Sequence, residues 1–262
     1  MSVTAIIMAA LVIGVVGIIV GFLLVTAGEK FKVEVDEKEV AVRAELPGNN
    51  CGGCGFPGCD GLAAAIAKGE APVNQCPVGG APVAAKIAEV MGEEVGEAVR
   101  TTAFVKCKGD CEQTFSLYDY AGERDCKMVN LMQSGGAKSC SYGCLGFGNC
   151  VKVCPFDAIH IVNGIAKVDS EKCKSCGKCV AECPKRLIEI IPYGQPQVQC
   201  SSKDKGKEVM AACKAGCIGC KKCEKNCPSG AITVTDNVAH VDKEKCTGCG
   251  KCKEVCTRKC IF

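Results

Sequence analysis

Four cysteine-rich runs begin at Cys144, Cys173, Cys217 and Cys246 and fill the C-terminal half of the chain. A shift of 73 residues carries Cys144, Cys150 and Cys154 onto Cys217, Cys223 and Cys227. The same shift carries Cys173, Cys176, Cys179 and Cys183 onto Cys246, Cys249, Cys252 and Cys256. Cys-x-x-Cys spacings with Gly and Lys between the thiols suit iron–sulfur ligation, whereas a secreted disulfide scaffold has no preference for such runs. The chemistry they suit is electron carriage, not the making or breaking of substrate bonds. Reduced thiols also imply a reducing compartment.

In two-cluster bacterial ferredoxins, three Cys of a run bind one cluster and the fourth binds the other. Applied to the second repeat, one [4Fe–4S] set is Cys217, Cys220, Cys223 and Cys256. Its neighbour is Cys246, Cys249, Cys252 and Cys227. Between the runs lie two short strands joined at Asp236-Asn237, matched in the first repeat by a turn at Asn163-Gly164. The first repeat gives a regular set of Cys154, Cys173, Cys176 and Cys179. Its other set is incomplete: Phe147 stands where the repeat has Cys220. Cys144, Cys150 and Cys183 need a fourth ligand, for which Cys140 is nearest in sequence, or the site holds a [3Fe–4S] cluster.

A separate set precedes the repeats. Cys51, Cys54, Cys59 and Cys76 lie in CGGCGFPGC and a following Cys-Pro. Zinc is the rival for four thiolates, but the Gly-rich loop and the distant Cys-Pro favour a cluster. Five clusters follow from these sets. A sixth would use Cys107, Cys126, Cys200 and Cys213, with Cys111 as a substitute; the alternative is that these are unliganded buried thiols. Cys260 replaces Leu187 of the first repeat and reads as packing. His160 and His240 occupy matching strand positions and read as fold residues. No Walker A run and no dinucleotide-binding Gly pattern on a strand-to-helix turn occurs.

The 262 residues include 26 Cys and no Trp, so cluster binding must contribute to holding the fold. The formal charge of +3 becomes about −7 once five clusters are counted, so the lysines do not imply nucleic-acid binding. Ala5 to Val25 is uninterrupted and apolar, long enough for a membrane-spanning helix. Lys30 and Lys32 follow it, which places the soluble domains in the cytoplasm and makes the chain a single-pass protein of the cell (inner) membrane. The reading is an α+β protein: an N-terminal transmembrane helix (1–28), a small helical 4Fe–4S domain (29–98), a connecting region with extra Cys (99–139), ferredoxin-like module 1 (140–192), a linker (193–212) and ferredoxin-like module 2 (213–262).

Anchor, CGGCGFPGC…CP domain and tandem modules, in this order, resemble the B subunit of the Rnf complex in its long form. KCKGDC, CSYGCLGFGNCVKVCPFDAI and CKAGCIGCKKCEKNCP carry the likeness. The resemblance implies an electron-relay subunit of an ion-translocating ferredoxin:NAD oxidoreductase. It implies soluble reduced ferredoxin as donor, membrane and flavin/NAD subunits as partners, and no substrate-converting site in this chain. The other reading is an anchored ferredoxin-like subunit of a different redox complex, or a stand-alone electron reservoir. Lys221, Lys222, Lys243, Lys245, Lys251 and Lys253, beside the C-terminal runs, are the expected attraction for an acidic ferredoxin; charge compensation of the clusters is the equal alternative.

Overall fold

A computed structural model describes residues 3–30, 36–96 and 99–262. The N-terminal stretch forms one continuous helix, α1 (Val3–Lys30). Its side chains at 11–27 are all exposed. Among the described residues no helix is long and apolar enough to cross a membrane. The spanning anchor expected for residues 1–28 has no support in that finding.

Three helices build the next domain: α2 (Glu37–Glu45), α3 (Gly58–Ala67) and α4 (Gly80–Met91). Asp36 caps α2 by accepting the Lys38 N–H. The Ala-rich stretches expected to be helical supply α3 and α4. Val42, Leu62, Ala63, Ile66 and Ile87 close a small core around Cys59 and Cys76.

The rest is built twice. Strand β1 (Thr101–Val105) is followed by the short helices α5 (Cys126–Asn130) and α6 (Asn149–Lys152). The hairpin β2 (Ile159–Val162) and β3 (Ile165–Val168), helix α7 (Lys178–Glu182) and strand β4 (Ile188–Pro192) complete the first unit. The second unit has α8 (Gly206–Ala212), α9 (Lys222–Lys225), the hairpin β5 (Ile232–Thr235) and β6 (Val238–Val241), and α10 (Lys251–Val255). Both hairpin turns place two residues at positive φ, Asn163 with Gly164 and Asp236 with Asn237. This is the twist that two-residue hairpins require.

Each module is closed by a strand from the segment before it. β1 pairs antiparallel with β4, Val105 opposite Ile188. In the second module Val198 bridges Ile261, the repeat counterpart of Ile188, and the Gln197 N–H reaches the Phe262 carbonyl at 2.7 Å. The segments around Val105 and Val198 thus belong to the modules they precede. Further bonds join the modules: Lys214 N–H to Gln113 O (2.7 Å), and the Thr114 and Ser139 hydroxyls to Ala212 O (3.0 and 2.7 Å).

The module cores are thin. In the first, Ile159, Ile165, Leu187 and Ile188 are the large buried aliphatics, packed among Cys107, Cys144, Cys150, Cys154 and Cys173. Burying one such side chain contributes about 1.5–3 kcal/mol. Ordering each backbone residue costs roughly 1–2 kcal/mol. Four aliphatics cannot offset a whole module, so ligation must carry much of the folding free energy.

Candidate iron–sulfur relay

The thiols group by cavity. Cys154, Cys173, Cys176 and Cys179 line one. Cys217, Cys220, Cys223 and Cys256 line another, with Cys260 beside them. Each cavity brings together three Cys of one run and the fourth Cys of its partner run. Cys227 and Cys252 belong with Val241 and Val255 in the second module's core, and Cys246 and Cys249 stand near enough to Cys252 to raise its thiol beyond the effect of burial. Around the N-terminal set, Cys59 opens α3, and its N–H donates to Asn50 Oδ1 at 2.8 Å. The Gly79 N–H donates to Cys76 Sγ at 3.4 Å.

Two expectations are corrected. The structure brings Cys126, not Cys140, beside the incomplete set of module 1: Cys126, Cys144, Cys150 and Cys183 line one cavity. Cys140 instead joins Cys107, Cys200 and Cys213 around another. Cys126 and Cys140 have thus exchanged places relative to the sequence reading. Nearness in sequence misled, because the delivery of Cys126 depends on tertiary contacts. Asp125 caps α5 through the Lys127 and Met128 N–H groups (2.7 and 3.1 Å). Asn149, next to Cys150, donates to Asp125 Oδ2 (2.7 Å) and accepts the Cys126 N–H (2.9 Å). Phe147, the residue that displaced a ligand, stacks with Tyr120 at a 5.6 Å centroid distance and takes Arg124 over its face at 6.0 Å. The residue that removed one thiol therefore holds the loop that supplies another. Cys111 is exposed and lies outside these groups.

The electrostatics are those of thiols kept from water. Burial pushes Cys107, Cys140 and Cys200 up to about 11, and Cys150 and Cys179 up to about 12. Neighbouring thiolates add to the effect. A hydrogen bond from Cys260 holds Cys217 down to about 6. Metal loading therefore releases protons, and uptake weakens as pH falls. Backbone N–H groups wait for the charge: Ala103 to Cys173 Sγ (3.3 Å), Ala166 to Cys144 Sγ (3.4 Å), Leu187 to Cys183 Sγ (3.4 Å) and Ala158 to Cys154 Sγ (3.5 Å). Such donors stabilise negative charge on cluster sulfur. Among the described residues no three His, Cys, Asp or Glu side chains converge as a single-ion site.

Neighbouring sets touch. A Cβ on Gly53 would lie 2.8 Å from the Cys176 carbonyl oxygen, so the N-terminal loop rests on the Cys173–Cys179 loop. The Cys144 N–H donates to Cys107 Sγ at 3.3 Å. The Cys217 N–H lowers Cys200 against its burial, while the Cys217 thiolate raises it. The set Cys107, Cys140, Cys200 and Cys213 therefore lies between the modules and contacts a set in each. Cys220 and Cys249, one in each set of module 2, are exposed.

Comparison with known proteins agrees with this chemistry. An Fe–S cluster family model matches residues 46–78, the LdpA Fe-S cluster-binding domain matches 148–194, and the 4Fe-4S dicluster domain matches 216–260. The B subunit of the Na+-translocating ferredoxin:NAD+ oxidoreductase complex of Acetobacterium woodii is 48% identical over 95% of this chain and 75% of its own length. The B subunit of an ion-translocating oxidoreductase complex of Methanosarcina acetivorans is 46% identical over 94% of this chain and 93% of its own. A proton-translocating counterpart from Clostridium ljungdahlii is 41% identical over 91% and 84%. The chain belongs to the B-subunit family of ion-translocating ferredoxin:NAD+ oxidoreductase (Rnf) complexes, as an iron–sulfur electron-transfer subunit.

Proposed function

We propose that this chain relays electrons through six [4Fe–4S] sites in a fixed spatial series. From the N-terminal side the series is Cys51/54/59/76, Cys154/173/176/179, Cys126/144/150/183, Cys107/140/200/213, Cys217/220/223/256 and Cys227/246/249/252. Bound there, the clusters would supply one-electron carriage. The protein's part is to hold thiolates, keep water away and aim N–H donors at sulfur. The observation that carries the reading is the bridging set, whose Cys107 and Cys200 contact Cys144 and Cys217 on its two sides.

Electrons enter at module 2 from soluble reduced ferredoxin and leave toward membrane and flavin/NAD subunits of the complex. Exposure of Cys220 and Cys249 supports this direction. Lys221, Lys222, Lys251 and Lys253 are exposed around them, positioned to steer an acidic donor. Lys243 is committed elsewhere, donating to Ile190 O at 2.6 Å, and Lys245 pairs with Asp242 at 3.3 Å. Helix α1 anchors the chain as a single pass in the cell membrane, with Lys30 and Lys32 on the cytoplasmic side. Its exposed Leu11, Ile13, Ile18, Phe22 and Leu24 support a lipid surrounding.

The test is electron transit. Cys213→Ala should lose about four Fe and slow reduction of the N-terminal and module 1 clusters by reduced ferredoxin at least tenfold, followed by freeze-quench EPR. Reduction of all remaining clusters at the wild-type rate would refute the series.

A further inference from the structure

Ser175 presents an unmet polar group inside a cluster site. The residue is more than nine-tenths buried, and its hydroxyl has no hydrogen-bond partner among the described residues. It lines the cavity formed by Cys154, Cys173, Cys176 and Cys179. A buried hydroxyl without a partner is costly, so an unmet one in a native site calls for a partner that completes it.

The backbone adds a second observation. Ser175 has φ 55°, in the left-handed region that a residue with a side chain adopts only at a cost. Its repeat counterpart is Gly248, with φ 72°. The fold thus asks for glycine at this point of both loops, CKSCGKC and CTGCGKC, and module 2 has it. Module 1 accepts the strained serine and buries its hydroxyl among four thiols. Among the side chains that line this cavity, the acceptors are the sulfurs of Cys154, Cys173, Cys176 and Cys179.

We infer that the Ser175 hydroxyl donates a hydrogen bond to sulfur at the Cys154/173/176/179 cluster, raising its reduction potential above that of the repeat-related cluster on Cys227/246/249/252. The inference rests on the cluster assignment proposed above. A donor to cluster sulfur stabilises the extra negative charge of the reduced form more than that of the oxidised form, which moves the potential positive. The residue acts on the cluster's electronics through position; it binds no iron. Its place in the series gives the effect a purpose. The site adjoins the N-terminal set through Gly53 and Cys176, so a raised potential there draws electrons out of the modules toward the N-terminal domain.

The experiment is an anaerobic EPR redox titration of the full-length, cluster-loaded chain and two reciprocal variants. Ser175→Gly relieves the backbone and removes the donor, so iron content should hold while one cluster's potential moves negative. Gly248→Ser supplies the missing donor in the repeat, where an added Cβ meets no atom within 4 Å, and should move a different cluster's potential positive. Full iron content with unmoved potentials in both variants overturns the inference. Cys173→Ala separately checks the assignment: undiminished iron there overturns both the assignment and the inference built on it.

Discussion

The two modules share a backbone plan and differ in where their ligands come from. In module 2, both sets draw all eight thiols from within the module, Cys217 to Cys256. In module 1, one set reaches outside to Cys126, delivered by a loop pinned on Phe147, Asp125 and Asn149. A further group, Cys107, Cys140, Cys200 and Cys213, spans the two modules, taking one thiol from each module and one from the segment before each. Duplication preserved the hairpin, the turn and the closing strand, while ligand supply changed freely. What a site needs is four thiols at one place, and the chain segment that brings them is secondary.

The largest expected effect is that of removing iron. With four large buried aliphatics in the first module's core, chelation should abolish cooperative thermal unfolding in both modules. The helical N-terminal domain, which packs Leu62, Ile66 and Ile87, should keep part of its far-ultraviolet circular dichroism. Full retention of β signal and melting in the iron-free chain would show that packing alone suffices.

A smaller effect sharpens the contrast between the modules. Cys126→Ala should lose about four Fe. Adding Phe147→Cys to that variant should restore the full count by recreating the arrangement of module 2, because Phe147 occupies the position of Cys220. Failure of the double variant to recover iron, with Cys126→Ala alone losing it, would mean that the loop geometry of module 1 has diverged too far to accept the inherited ligand.

The smallest effect concerns the support of Cys126. Asn149 is buried and bonds both Asp125 and the Cys126 backbone. Asn149→Ala should destabilise the loaded protein by about 1–3 kcal/mol and hasten loss of iron from one site, read as a lower melting temperature and faster chelator release. An unchanged release rate would show that Cys126 is held by the cluster alone.

The sequence exposed most of this because repeated Cys spacing reports directly on local loops. The hairpin turns at Asn163-Gly164 and Asp236-Asn237 and the helices at Gly58–Ala67 and Gly80–Met91 follow from contacts within a few residues of each other, and the regular sets were read from Cys runs that repeat at 73 residues. The misassignments fell where contacts are long range. Nothing near Cys126 says that Asn149 will accept its N–H, and nothing near Cys140 says that Cys200 and Cys213 will meet it. Phe147 was legible as a lost ligand but not as the anchor of its replacement. A pairing signal did exist: the loss of Cys at 147 and the surplus Cys at 126 are complementary once both are placed on one fold.

Central to the account is the count and partition of sites, and iron analysis reads both. The full-length chain, loaded anaerobically to saturation, should bind about 24 Fe and as much sulfide, with Cys126→Ala and Cys140→Ala each lowering the total by about four and the double variant by about eight. About 20 Fe in the wild type, or a double variant no lower than either single one, would contradict it by placing both cysteines at one site.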